Sequence, residues 1–150
     1  MRYLILILIA LNVACAKPTS YIEPEYEVYV QEFMNDAAAF GIRLDASRLT
    51  IVNETMNKEG SVRTLGVCSI DSNKNLRISM NKELFESKTP ELREFVMFHE
   101  LAHCLVHMPH YDADIDIMNT YVNNAFPVFM NDKKTLKNKV FQRYIDTALK

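Results

Sequence analysis

The chain has 150 residues, 49% of them hydrophobic, which is enough for one domain with a buried core. Its 17 basic and 19 acidic residues give a formal net charge of −2. This balance gives no indication of nucleic-acid binding, so we expect one domain and no nucleic-acid partner.

The beginning of the chain is typical of an export signal. One positive charge precedes the apolar run YLILILIAL, and small residues follow at Ala14 and Ala16, where a signal peptidase would cut. The run is too short for a comfortable membrane span of about 20 residues, although a retained anchor helix is the alternative. We therefore predict export to the periplasm or cell envelope, with a signal peptide at 1–16, an unstructured leader at 17–24 and a domain at 25–150.

Two processing routes fit the signal segment. Cleavage after the A-x-A site would leave Lys17 as the first residue. The stretch NVAC alternatively resembles a bacterial lipoprotein signal, in which Cys15 is lipidated and retained as a membrane tether. Asn12 replaces the leucine usual at the start of that signal, with Leu11 one position away, and both routes stay open.

The remaining cysteines are Cys68 and Cys104. An even number of cysteines in an exported chain predicts a disulfide between them. Two buried thiols are the alternative.

The first half of the domain predicts a helix followed by a sheet. Apolar residues at helical spacing predict a scaffold helix from Glu25, with Gly41 as its terminating residue. Three β-prone segments follow, and the turn-like DSNKN separates the second from the third. They span residues 49–52, 62–70 and 76–80, and a short helix can form at 81–87.

A second long helix is predicted from Thr89. Thr89 can cap this helix, and Pro90 is tolerated in its first turn. No helix breaker follows before His107, and the segment is apolar nearly all round, which predicts a central, buried helix. Pro109 disfavours helical geometry at Met108, so the helix should end there.

A third helix is predicted at the end of the chain. Asn131 or Asp132 can cap it, and apolar residues recur every four positions up to Ala148. Its basic residues predict a solvent-exposed face, namely Lys133, Lys134, Lys137 and Arg143.

All four histidines of the chain fall within HELAHCLVHMPH at residues 99–110. His99 and His103 are four residues apart, so one helical face can direct both imidazoles to one metal ion. Glu100 is rotated from this face by about 100°, near enough to take a proton from a zinc-activated water. Three polar side chains in an apolar helix carry a desolvation cost, which a metal ion compensates. Hydrogen-bonded core histidines are the alternative.

Catalytic zinc usually has three protein ligands, so a third is needed. His107 lies about 12 Å along the helix from His99, too far to share one ion while the helix stays straight. His110 follows the break at Pro109 and is the predicted third ligand, whereas His107 is expected to end the helix. The segment DADID offers a rival source of a third, oxygen ligand, or a weak calcium-binding loop. The alternative is that its aspartates form a solvated acidic loop: Asp112, Asp114 and Asp116.

These residues resemble the zincin metallopeptidases, and more narrowly the metzincin-like group. Metzincins extend the motif as H-E-x-x-H-x-x-G-x-x-H. Here the interval from His103 to His110 is one residue longer, and His107 lies in the stretch where metzincins have the glycine that permits the turn. The chain is closer to small bacterial exported or phage-associated metallopeptidases with H-E-x-x-H-C-x-x-x-x-x-H, then I-M-N, as at residues 117–119. The resemblance covers residues 62–120, including G-x-C at residues 66–68.

The resemblance implies one zinc ion on His99, His103 and His110, with Glu100 as general base and Met118 beneath the site. Tyr121 is one position late for the extra tyrosine ligand of some metzincins, so no role is assigned to it. In the same picture, a Cys68–Cys104 bridge would fix the active-site helix to the sheet.

The prediction as a whole is a monomeric, single α+β domain of zincin-like architecture. It has an N-terminal scaffold helix, a small mixed sheet, the metal-bearing helix and a C-terminal helix. The predicted activity is zinc-dependent hydrolysis of a peptide or protein substrate that adds as a strand to the sheet edge. The alternative is a non-enzymatic periplasmic zinc-binding protein, or an envelope adaptor with a degenerate site.

Overall fold

A computed structural model describes residues 20–56, 64–113 and 115–148. The signal peptide predicted at 1–16, with its cleavage site and Cys15, lies outside these residues. The elements of the described part are β1 Tyr21–Ile22, α1 Pro24–Ala39, β2 Leu49–Asn53, β3 Gly66–Ile70, β4 Leu76–Met80, α2 Lys82–Glu86, α3 Pro90–Leu105 and α4 Val122–Ala148.

The strands form one mixed sheet in the order β1-β2-β4-β3. The β1–β2 and β2–β4 pairs are parallel, and β3 pairs antiparallel with β4 through the hairpin turn at residues 71–75. The predicted α+β class and small mixed sheet are therefore confirmed. Among the described strands β3 has one neighbour, so its other edge is free of strand pairing.

The predicted leader is wrong at its end. Tyr21 and Ile22 pair with β2 beside Thr50 and Ile51, and α1 already begins at Pro24. A two-residue strand is stabilised by the strand beside it, so its own sequence carries no clear signal. The other end of α1 follows the prediction, because Gly41 has the positive φ of 73° that ends many helices.

The helix α3 lies at the centre of the core and packs against α1, α4 and the strands β3 and β4. A cluster of buried aromatic rings joins three helices: Phe33, Phe98 and Phe141, with ring centroids 4.8 to 5.6 Å apart. Burying each such side chain stabilises the fold by about 1.5–3 kcal/mol. Nine of the 16 residues of the histidine-bearing helix α3 are buried.

The beginning of α3 is as predicted, but its end is earlier. The hydroxyl of Thr89 accepts a hydrogen bond from the Leu92 N–H, as expected of a capping residue. The helix ends at Leu105, two residues before the predicted His107, which has a left-handed φ of 53°. The Met108 N–H then donates to the Ala102 carbonyl, so the chain folds back over the last helical turn.

The C-terminal helix is longer than predicted. Its backbone is kinked at Asp132 (φ −148°, ψ 64°), whose carboxylate accepts a hydrogen bond from the Thr135 N–H. Asp132 is thus the predicted cap, but a helical segment that includes Pro127 precedes it, and the sequence did not indicate this segment.

The predicted basic solvent face of α4 is wrong for two of its residues. Lys137 is largely buried and pairs with Glu94 and Asp36, and Arg143 pairs with the buried Asp116. Both residues are drawn inward by carboxylates on distant segments of the chain, which the pattern within α4 did not indicate.

In the part of the chain that the structure describes, no helix is both long and apolar enough to cross a bilayer.

Candidate metal centre

Three of the four histidines converge on one point. His99 and His103 lie one turn apart on α3, and their Nε2 atoms are 3.0 Å apart. The Nε2 atom of His110, which comes from the loop after Pro109, lies 3.3 Å from that of His99. The structure therefore brings together the three residues that the sequence predicted as ligands, with their ring nitrogens within 4.8 Å of one another.

Backbone carbonyls orient the two helical imidazoles. The Nδ1 atom of His99 lies 2.7 Å from the Ile117 oxygen, and that of His103 lies 2.5 Å from the Met108 oxygen. A carbonyl can only accept a hydrogen bond, so each Nδ1 must carry the proton. Each Nε2 is then left with a lone pair that points to the common centre, which is the usual arrangement of metal-ligating histidines.

The spacing of these nitrogens fits a tetrahedral ion. Zinc–nitrogen bonds of about 2.0–2.1 Å place two ligand nitrogens about 3.3–3.4 Å apart, close to the observed separations. Without a cation, the facing lone pairs would repel one another. Burial lowers the pKa of His99 to about 4, against its hydrogen bond to Ile117, and burial also lowers the pKa of His103. Both imidazoles are therefore neutral near pH 7, as metal ligands must be.

Glu100 lies beside the histidines but is held by the sheet. Its side chain is 7% exposed, and its Oε2 accepts a hydrogen bond of 2.9 Å from the Cys68 N–H of β3. Burial raises the pKa of Glu100 to about 7, although the bond from Cys68 opposes this rise. A carboxyl group with such a pKa can both accept and release a proton near neutral pH.

A glycine in β3 makes room for this carboxylate. A Cβ atom on Gly66 would lie 3.0 Å from the Cγ of Glu100 and 2.8 Å from the Sδ of Met80. Any larger residue would displace one of these side chains, so Gly66 is part of the site.

The predicted disulfide is present and joins Cys68 of β3 to Cys104 of α3. Cys68 also donates its N–H to Glu100, and Cys104 follows the ligand His103 directly. The bridge therefore fixes the strand that positions the carboxylate against the helix that carries the histidines.

The described aspartates of the loop after His110 stabilise the loop and do not belong to the histidine cluster. Asp112 accepts hydrogen bonds from the N–H and hydroxyl of Thr120. Asp116 is 0% exposed, so the expected solvated loop is wrong there. It pairs with Arg143 at 2.7 Å and accepts the Met118 N–H. The rival ligand set is thus not supported for these two, and Asp114 lies outside the described residues.

The remaining predicted residues have different outcomes. His107 is exposed and outside the cluster, as a non-ligand should be, although it lies beyond the helix and not within its last turn. Met118 is fully buried next to Ile117, and its position beneath a metal stays a prediction. Tyr121 is 63% exposed.

Sequence reasoning missed the groups that hold the ligands in place. The carbonyls of Ile117 and Met108 leave no side-chain signature, and the Asp116–Arg143 pair spans 27 residues. The one sequence feature that pointed to this part of the site was the I-M-N segment at residues 117–119, soon after His110.

The histidines and Glu100 open into a cavity of about 540 Å³ between β3 and α3. Its walls are mainly apolar, with Leu65, Val67, Phe95, Val96 and Val122. This volume suits a few residues of an extended peptide.

No protein-family model, curated protein or solved structure matches the chain in the comparisons. The chemistry of the site is therefore inferred from its own geometry and from the motif that it carries.

Proposed function

We propose that the protein is a zinc-dependent metallopeptidase with a zincin-like site. The observation that carries this proposal is the convergence of three Nε2 atoms next to the buried carboxylate of Glu100. A purely structural zinc site is usually closed by four protein ligands, whereas three ligands beside an open cavity suit catalysis.

The roles of the residues follow from their positions. His99, His103 and His110 would hold one zinc ion through their Nε2 atoms. When bound, zinc supplies Lewis acidity, which lowers the pKa of water and polarises a carbonyl group. Glu100 would take the proton from the attacking water and deliver it to the leaving amine. The Cys68 N–H keeps the carboxylate directed to the cavity throughout.

The free edge of β3 suits the binding of an extended peptide. In an antiparallel pair, alternate residues direct both backbone groups to the partner strand. Cys68 donates its N–H to Glu100 and not to β4, so Gly66, Cys68 and Ile70 direct their backbone groups away from β4. A substrate strand could pair with Gly66 and Ile70 and lie across the histidines.

The bridge between Cys68 and Cys104 supports an extracytoplasmic location, because disulfides persist in oxidising compartments. We therefore retain export to the periplasm or cell envelope as part of the proposal, in agreement with the signal-like residues 1–16.

Replacing Glu100 by glutamine tests the mechanism. Glu100→Gln should keep one equivalent of zinc, measured by atomic absorption, but should lose cleavage of a quenched-fluorescence peptide library by about 100-fold or more. Glu91→Gln, on the exposed first turn of the same helix, is the matched control and should cleave normally.

Two results would contradict this proposal in different ways. Cleavage that persists in zinc-loaded Glu100→Gln would disprove the role of the carboxylate. Zinc-loaded wild-type protein that cleaves no peptide would favour the alternative of a zinc-binding protein without enzymatic activity.

A further inference from the structure

A second cavity, of about 420 Å³, lies at the other end of β3. It is formed by the loop before β2, the β3–β4 turn and the end of α3. Three of its lining residues are basic, namely Arg43, Arg48 and Lys74, whereas Asp45 is the one carboxylate among them. This excess of positive charge contrasts with the net charge of −2 of the whole chain.

The cations of this cavity are largely available to a ligand. Arg43 and Lys74 form no ion pair within the described residues, whereas Arg48 donates to the Asn73 carbonyl and is attracted to the carboxylates of Asp45 and Asp71. Asp45 is already engaged by the Ser47 N–H. A concave site with such an excess of one charge attracts an ion of the opposite charge.

The basic cavity adjoins the cavity of the metal centre. Ile70 lines both, and the disulfide lies between them, with Cys68 lining the first and Cys104 the second. Cys68 lies beside Glu100, to which its N–H is hydrogen-bonded. Ile70 lies two residues further along β3, about 7 Å from Cys68. The two cavities therefore meet at Ile70, so a peptide that extends past this residue from the histidines would reach the mouth of the basic cavity.

We propose that the basic cavity is a subsite for an acidic side chain of the peptide substrate, and this proposal rests on the proposed peptidase function. A carboxylate about two to four residues from the scissile bond would reach Arg43 and Lys74, the two cations of the cavity that form no ion pair within the described residues. The apolar wall of the subsite would contact the methylene groups of the same side chain, through Leu44, Leu76 and Tyr144.

Matched peptides provide the test. A peptide cleaved by the wild-type protein is made with glutamate, or with glutamine, at each position up to five residues on either side of the scissile bond. At one or two neighbouring positions on one side, glutamate should raise kcat/KM by about five-fold or more, mainly through KM. The preference should decrease in 0.5 M salt, because the interaction is between charges.

The double variant Arg43→Gln/Lys74→Gln should abolish this preference, so that the glutamate and glutamine peptides are cleaved with similar kcat/KM. The matched control is Lys88→Gln/Lys134→Gln, which removes the same charge elsewhere and should retain the preference. Zinc-loaded Glu100→Gln provides a readout without turnover. In fluorescence anisotropy it should bind the labelled glutamate peptide more tightly than the labelled glutamine peptide.

The outcomes separate the two proposals. If peptides are cleaved but glutamate has no effect at any position, or if its effect persists in Arg43→Gln/Lys74→Gln, the subsite is disproved and the peptidase stands. If zinc-loaded protein cleaves no peptide at all, the peptidase proposal fails, and the subsite fails with it.

Discussion

His99 and His103 lie on a helix that is packed on nearly every side, whereas His110 lies on an exposed loop. The helical pair is positioned by regular i, i+4 geometry and by the core around α3. The loop is held instead by Asp112, by the Asp116–Arg143 ion pair and by the ring of Tyr111, which lies 4.0 Å from the guanidinium of Arg143. One half of the site is thus built by local sequence, and the other by contacts between distant segments.

The largest difference between the halves should be in zinc affinity. His103→Ala should lower the affinity by more than about 1,000-fold, because the remaining ligands are then on separate elements. His110→Ala should lower it less, by about 100-fold, since the helical pair stays in place. Competition with a zinc chelator measures both, and His107→Gly should bind zinc like the wild type. A normal affinity in His110→Ala would remove that residue from the ligand set.

The second-largest effect is expected from loss of the Asp116–Arg143 ion pair, which supports the loop that carries His110. Asp116→Ala leaves the Arg143 guanidinium without its carboxylate, and Nη1 of this group already lacks a hydrogen-bond partner among the described residues. We expect the free energy of unfolding to fall by about 2–4 kcal/mol in urea denaturation. Zinc affinity should fall with it, by about ten-fold or more, as the Ile117 carbonyl loses its position at His99.

Asp112→Ala is the comparison within the same loop. Asp112 is exposed, and its loss removes the two hydrogen bonds to Thr120 and the attraction to His110, so the free energy of unfolding should fall less than in Asp116→Ala. Equal effects of the two substitutions would show that the buried ion pair has no special part in holding the loop.

The smallest effect is expected at the junction between helix and loop. His107 has a positive φ without being glycine, and its conformation turns the chain so that Met108 reaches His103. His107→Gly should therefore stabilise the protein by up to about 1 kcal/mol, whereas His107→Val should destabilise it by about 1–2 kcal/mol. Thermal unfolding of the two variants measures the difference, and the opposite order would mean that the imidazole itself stabilises the turn.

The sequence predicted those features that depend on near neighbours. Thr89 caps α3, Gly41 follows α1 and Asp132 caps the second part of α4, as their local signals indicated. The helical face shared by His99 and His103 followed from spacing alone. These predictions succeeded because each depends on residues within about one helical turn.

Features that depend on distant partners were missed or mistaken. Tyr21 is a strand residue because β2 lies beside it, and Arg143 is partly buried because Asp116 lies opposite. The early end of α3 depends on the return of the chain to the Ala102 carbonyl. Which backbone carbonyl meets which imidazole is likewise fixed by the fold and not by the motif.

The Arg143–Asp116 contact has a consequence for any shortened version of this protein. A fragment that ended at Asn119 would retain every histidine, the glutamate and both bridged cysteines. It would nevertheless lack the guanidinium under the loop, and with it the support of the Ile117 carbonyl at His99. The smallest fragment that keeps the histidine cluster supported therefore extends well past the last candidate ligand, into a helix that contributes none of the three histidines.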